Sequence, residues 1–383
     1  ILHWLLACLL VFQLCIGIFM VDIPKGPDSP RALWFNFHKS LGILLSLLIV
    51  LRLVWRLKNP PPNLPASITG WKRTISHINH FFLYVCMIVM PVSGIIGSIF
   101  SKYPINFFTK PLDKYGHDFM IDTLKMGGVD GLDLTVRPRG SVLPETVAED
   151  LPLVAEMARK NGLLLEMMVS NITSAKTPHA KNVLKTAAKH DIKHYRMGYF
   201  RYNDEEKAKE TIARANTQIQ SLIDINAHYG IQGGYQNHTG NYFGSPLWDL
   251  IGVLDSLSSH WMSSQFDIYH AYSEGYKSWL VTLEIIATKI GSFALKDFTW
   301  EIMNGKAKIK KVPLGHGIVD LDGFFKSIKK MNIVAPITLH IEYPLLEKQD
   351  EKLSLIEKQK IMVTKIQNDV RFIRSKLRRY KLI

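Results

Sequence analysis

Three long apolar runs crowd into the first hundred residues, and none follows them. They are Ile1–Val21, Leu41–Trp55 with an upstream extension through Trp34 and Phe37, and Phe81–Phe100. Each approaches the roughly 20 apolar residues that cross a bilayer as a helix. A signal peptide is the other meaning of the first run, but no small-residue cleavage site follows it and two further runs do. The first residue is Ile and the apolar run begins at once, so the start is expected to be truncated.

Charge divides the chain at the same place. Residues 1–108 hold nine Lys or Arg against two acids, Asp22 and Asp28, while the remainder holds 38 against 31. Most of the second excess lies in Leu345–Ile383, with 11 basic and 5 acidic residues. The positive balance therefore comes from membrane-flanking loops and a tail rather than one basic face, which argues against a nucleic-acid partner. Between the first two runs the charge is balanced, whereas Arg52–Arg73 carries Arg52, Arg56, Lys58, Lys72 and Arg73 with no acid. The positive-inside rule puts the second loop in the cytoplasm. Three spans then leave everything after Phe100 on the outer, periplasmic side of a bacterial inner membrane. The cysteines Cys8, Cys15 and Cys86 all lie in the apolar runs and lack C-x-x-C spacing.

Histidine marks both faces of this segment. His3 lies near the inner end of span one, His38 near the outer end of span two, and His77 and His80 at the inner entrance to span three. Ionisable groups at membrane depth are costly and usually functional, and neutral imidazole is a common axial ligand of haem iron. The phrases "ILHWLLA", "FHKSLGILLSLLIVLRLVWRLKNPPP" and "HINHFFLYVCMIVMPVSG" resemble the bacterial and hydrogenase-associated cytochrome b561 family over nearly all of residues 1–104. The resemblance implies a lipid-embedded haem b electron carrier that works with a quinone or another redox partner. It assigns His3 and His38 as haem ligands and His80 as a third candidate. The family has a fourth helix, and no apolar run follows "SKYPINFF" to supply it.

From Gly128 the pattern changes to short β-rich runs alternating with amphipathic stretches. Strands are expected at 131–136, 163–169, 192–198, 231–236, 264–268, 292–297 and 336–342, with helices between them such as 145–160 and 205–228. Such alternation implies βαβ units and a parallel sheet. Seven strands without a Gly-rich dinucleotide fingerprint favour a (β/α)₈ TIM-type barrel over a doubly wound sheet. A helix at 117–127 precedes the first of these strands, so the barrel is expected to lack strand one. The expected organisation is thus a multi-domain chain: all-α transmembrane helices over 1–108, a junction over 109–116, and an α/β barrel over 117–383. The tail 345–383 reads as one helix whose apolar positions Leu353, Ile356, Ile361, Val363, Ile366, Val370 and Ile373 pack on the barrel. Lys365, Arg374, Arg378 and Arg379 then form its outer face.

Barrel chemistry gathers at the C-terminal strand ends. There the sequence puts Asp133, Arg137, Arg196, Gln236, His238, Asp267, His270, Lys296, Asp297, His340 and Glu342. Strand-end acids often cap the next helix, but the convergence of these groups suits a divalent ion with oxygen and imidazole ligands beside a proton-moving carboxylate. The phrases "GVDGLDLTVRP", "KHYRMGY", "GGYQNHTG", "FDIYHA", "ALKDF", "VPLGHGIVDL" and "LHIEYPL" resemble sugar phosphate isomerases and epimerases with the xylose isomerase-like barrel, over about 117–375. The resemblance implies a sugar substrate and a divalent metal (Mn, Mg or Zn) held by Asp267, Glu342, Gln236 and His270. Gln236 stands where the family has Glu, and Ala294 stands at the strand-seven His, two residues before Lys296. Glu342 is then the candidate base, with Lys296 and His270 as its catalytic partners. Arg137, Arg196, His238 and His316 are candidate substrate contacts, the last between Gly315 and Gly317. Competing expectations are a haem electron carrier with the barrel as passenger, or two incomplete genes fused where the fourth helix and the first strand are both missing.

Overall fold

The computed structural model describes residues 2–23, 31–59, 70–100 and 103–383. Two compact units divide between Ser101 and Lys102.

The first unit holds three helices, α1 (Leu2–Asp22), α2 (Arg31–Lys58) and α3 (Trp71–Phe100). Leu6, Leu45 and Ile49 form its small buried core, and Gln13 Nε2 donates to the His38 carbonyl at 2.7 Å to tie α1 to α2. Outward, Trp4, Ile18, Leu57 and Phe81 expose most of their surface. Apolar area of that extent is suited to lipid rather than water. Among the described residues, Phe37–Lys58 is long and apolar enough to cross a membrane, while the apolar parts of α1 and α3, Leu6–Met20 and Phe81–Ser93, are shorter. One helix therefore meets the criterion where three were expected. The Pro-rich loop at 60–69 and the side chains of His3, His77 and His80 lie outside the described residues.

The second unit is a closed barrel of eight parallel strands. The strands are β1 (Ile105–Phe108), β2 (Gly131–Thr135), β3 (Leu164–Val169), β4 (His194–Arg196), β5 (Gln232–Gln236), β6 (Met262–Asp267), β7 (Ile290–Leu295) and, after an excursion, β10 (Ile337–Leu339). The barrel is complete, which corrects the expectation of a missing first strand: β1 lies between β10 and β2, with Phe107 opposite Leu339 and Leu132. β1 is only four residues long and fully buried, so its sequence INFF has no alternation and reads as the end of the membrane run. Asp130 Oδ2 accepts the Ile105 N–H at 2.9 Å to anchor its start.

Helices α4 (His117–Gly127), α5 (Val147–Lys160), α6 (Ala180–Lys189), α7 (Ala208–Gln220), α8 (Ile223–Tyr229), α9 (Trp248–Ser256), α10 (Ile268–Gly275), α11 (Trp279–Ile286) and α12 (Leu321–Lys330) follow the strands in turn. Strand parity sorts the side chains. Phe107, Leu134, Met168, Phe266, Phe293 and Leu339 belong to the apolar layer against the helices, all 0 % exposed. The alternate positions meet inside the barrel: Asn106 Nδ2 lies 3.4 Å from Met167 Sδ, and Thr338 Oγ1 donates to Asp133 Oδ2 at 2.8 Å. The excursion after β7 is an antiparallel hairpin, β8 (Asp297–Met303) and β9 (Lys306–Val312), turning at Asn304–Gly305 with positive φ at both residues.

The tail helix α13 (Leu355–Arg379) starts at a capping box between Ser354 and Glu357. It buries Met362, Val363, Ile366, Val370, Ile373 and Leu377. Ile356 is exposed instead, and Arg374 turns inward to Asp130 at 2.9 Å, so the expected faces hold only in part. Asp369 is buried on the same face, accepting from the Leu314 N–H at 3.1 Å and the Tyr343 hydroxyl at 2.9 Å. Burial pushes its carboxyl up to about 6. An unfolded Asp titrates near 3.9, so the folded state holds the proton more tightly and stability is lost as pH rises from about 4 through 6. Thermal unfolding of the detergent-solubilised chain checks this. The Asp369→Asn variant should lose that decline, gaining roughly 2–3 kcal/mol on wild type between pH 4 and 7. Parallel pH profiles for the two proteins would contradict it.

Candidate active site at the barrel mouth

The strands present a connected group of buried polar side chains at their C-terminal ends. Arg196 from β4 donates through Nη1 to Gln236 Oε1 at 2.7 Å, and the Tyr199 hydroxyl donates to the same oxygen at 2.5 Å. With two donors on its oxygen, the Gln236 amide must turn its Nε2 the other way. It donates there to Asp267 Oδ2 at 2.7 Å. Asp267 also caps α10, its Oδ1 accepting the His270 N–H at 3.2 Å.

Lys296, just past the end of β7, closes the group. Its Nζ lies 3.1 Å from Asp267 Oδ2, 3.0 Å from Glu342 Oε1 and 2.8 Å from His270 Nε2. Glu342 and His270 meet the ammonium within hydrogen-bond geometry, and Asp267 faces it as an ion pair. Lys296 is 4 % exposed, and burial alone would strip its charge. The facing charges of Asp267 and Glu342 outweigh that burial and raise its pKa. Burial and then the Lys296 charge push His270 well below the usual histidine range, so its ring is neutral. The Thr239 N–H donates toward its Nδ1 at 3.1 Å with Thr239 Oγ1 at 2.7 Å, while Lys296 faces its Nε2, so polar groups meet both ring nitrogens.

Glu342 is half-buried and gripped from a second side by Lys311 of β9. Burial works against its charge, but Lys296 and then Lys311 hold its carboxyl well below the usual range. The hairpin that carries Lys311 is fastened by Asp297. Its carboxylate accepts the backbone N–H groups of Phe298, Gly315, Gly317 and Val319 at 2.8–3.1 Å. Residue 317 must be glycine there, because a Cβ would stand 2.1 Å from Asp297 Oδ1.

The remaining predicted residues sit around this centre. His238 is half-exposed, 4.1 Å ring to ring from His270, and between the rings of Tyr199 and Tyr242. Its Nδ1 bonds the Thr239 carbonyl at 2.9 Å and must be the donor there, which leaves a lone pair on Nε2. Burial lowers its pKa and keeps it neutral. Arg137 and Arg196 lie 5.9 and 5.3 Å from the Phe108 ring, which stacks on His340 at 4.4 Å. His316 is on the loop after β9 with its side chain exposed, and no contact draws it into the group among the described residues. Tyr199, Thr239 and Lys311 were not anticipated. Tyr199 follows a strand end by three residues, a readable signal, whereas Lys311 arrives only through the hairpin.

Of the expected metal set, Asp267, Glu342 and His270 lie together, and the atom they surround is Lys296 Nζ. Gln236 offers that side an N–H rather than its carbonyl. No group of three or more His, Cys, Asp or Glu fit to hold a metal occurs among the described residues. The residues present do not fit a divalent ion. In the helical unit, the His38 ring packs on Gly17, where a Cβ would lie 3.2 Å from Cε1, and its buried Nδ1 has no hydrogen-bond partner. A ring nitrogen left open in this way fits axial ligation of haem, which would supply one-electron transfer.

Residues 121–359 match the family described as the xylose isomerase-like TIM barrel. The chain belongs to that family. Residues 1–129 match the prokaryotic cytochrome b561 family, a stretch that runs on through β1 and α4. Cytochrome b561 homolog 2 of Escherichia coli (strain K12) is 31 % identical over 110 residues, covering 28 % of this chain and 56 % of that protein. The chain thus spans about half the length of that curated relative. A xylose isomerase domain protein from Planctomyces limnophilus superposes with a TM-score of 0.53 at 14 % identity, covering 74 % of this chain and 100 % of that one. D-allulose 3-epimerase from Methylomonas sp. in complex with D-allulose gives 0.53 at 14 % identity, covering 72 % and 98 %. An L-ribulose 3-epimerase gives 0.55 at 11 % identity, covering 73 % and 96 %. At these identities the likeness establishes the fold.

Proposed function

We propose that the barrel binds a sugar or similar polyhydroxylated molecule and moves a proton on the carbon beside its carbonyl, as an isomerase or epimerase does. The observation that carries this is the buried group from Arg196 to Glu342 at one barrel mouth, with a neutral imidazole at its edge. In such a step a base removes the proton, the C–H electron pair forms a C=C bond, and the carbonyl π pair moves to oxygen. Return of the proton to the opposite face gives the epimer, and return to the former carbonyl carbon gives the isomer. Because the residues do not fit a divalent ion, no part of this step is routed through one.

His238 is the base this arrangement favours, since its Nε2 lone pair is free and burial keeps its ring neutral. Glu342, the base expected from the sequence, is weakened by its two lysines and serves as their counter-charge. Arg137 and Arg196 would bind substrate oxygens at the other side of the mouth. Exchange of substrate hydrogen with deuterated water, followed by NMR over a panel of ketoses, aldoses and their phosphates, tests the reading. His238→Gln should lower exchange by roughly 10²–10⁴-fold, the usual worth of a positioned base. Unchanged exchange in that variant, with loss in Glu342→Gln, would return the role to Glu342. No exchange by wild type on any sugar would sink the isomerase reading.

The helical unit is proposed to tether the barrel in a bacterial inner membrane through three spans, with the barrel on the periplasmic side. The acid-free charge of Arg52–Arg73 supports this orientation. Alkaline phosphatase fused after Ile383 should be active in cells, and an active cytoplasmic reporter at the same point would reverse the topology. A second reading, haem electron transfer with a quinone or other redox partner, is favoured by the open nitrogen of His38. The chain enters β1 after α3 where the resembled family continues into a fourth helix, so ligation is incomplete and less than one haem per chain is expected. A pyridine haemochrome assay returning two haems per chain would overturn that expectation.

A further inference from the structure

We infer that Lys296 is a built-in replacement for a divalent cation: its ammonium occupies the cation position of the mouth, held by Asp267, Glu342 and His270. This rests on the family placement of the barrel and adds to the proposed function. Three observations carry it. The first is position. Ala294 is the β7 residue expected to supply an imidazole, and Lys296 is one pleat further along with the same parity, so its long side chain reaches back into the same volume. The second is coordination. Nζ has three of the four expected ligand residues at 2.8–3.1 Å, hydrogen-bond lengths too long for a metal but suited to an ammonium.

The third is charge. Asp267 and Glu342 bring two negative charges into a mouth where Asp267 is 0 % exposed. Uncompensated, such a pair is strongly unfavourable. Lys296 and Lys311 together supply two positive charges against them, the sum a single divalent ion would bring. Gln236 fits the same account. The family's Glu at that place would set a second carboxylate oxygen against Asp267 Oδ2, whereas a neutral amide donates to Asp267 and accepts from Arg196. The family's Glu and the strand-seven imidazole are thus replaced together, and each replacement is compatible with the other.

The wild-type chain therefore has no need of a divalent ion at this place, and removing the lysine should create one. The detergent-solubilised full chain, stripped with EDTA, is titrated with Mn²⁺ while the free aquo-ion is followed by electron paramagnetic resonance. Wild type should show no Mn²⁺ site that Asp267→Asn abolishes. Lys296→Ala should gain one Mn²⁺ per chain, bound at least tenfold more tightly than any ion on wild type, and the double variant Asp267→Asn/Lys296→Ala should lose it. A wild-type Mn²⁺ site removed by Asp267→Asn overturns the inference. So does a Lys296→Ala protein with unchanged circular dichroism and no gained site. Should that variant fail to fold, Lys296→Met keeps the apolar stem and is judged by the same titration, and the wild-type result decides independently of both. Binding is read without turnover, so absence of sugar exchange would sink the isomerase reading and leave this inference standing.

Discussion

The barrel mouth depends on a buried ammonium. Taking a lysine out of water is costly unless opposite charge meets it, and Lys296 is met by two carboxylates and a neutral ring nitrogen. The surrounding choices follow from that requirement. Gln236 must be neutral and must turn its amide nitrogen toward Asp267. His270 is uncharged beside the ammonium, with Thr239 against its other ring nitrogen. Thr239 in turn holds His238 through its carbonyl, leaving that ring with a free lone pair.

The hairpin after β7 completes the charge balance. Lys311 neutralises the outer oxygen of Glu342, and Asp297 positions that lysine by gathering four backbone N–H groups at the hairpin base. A carboxylate satisfied by four donors is a rigid fastening, and it costs a glycine at 317. The hairpin is consequently part of the site as well as part of the fold. Strand β7, the loop at 313–319 and the middle of α13 are drawn together here, the last through Asp369 and the Leu314 N–H.

Much of this was legible in the sequence. Seven of the eight barrel strands showed themselves as short apolar runs between helical stretches. Asp267, His270, Lys296, Gln236 and Glu342 could be assigned to one mouth because consecutive strands carry them. What was missed has physical reasons. β1 is four buried residues directly after a membrane helix, so it lacks the alternation that marks a half-exposed strand. Its presence removes one of the two gaps that suggested a fusion of incomplete genes. The hairpin was overlooked although Asn304–Gly305 is a strong two-residue turn signal. The direct contacts of Lys296 with Asp267, Glu342 and His270 were not readable, because only the three-dimensional structure gives their distances.

The occupant of the space between Asp267, Glu342 and His270 decides whether the mouth needs a metal. A crystal of the protein grown in the presence of MnCl₂ and measured at the manganese absorption edge observes that space directly. The account predicts side-chain density for Lys296 reaching all three residues and no anomalous peak among them. An anomalous peak bonded to Asp267 and Glu342, with Lys296 turned away, would contradict it.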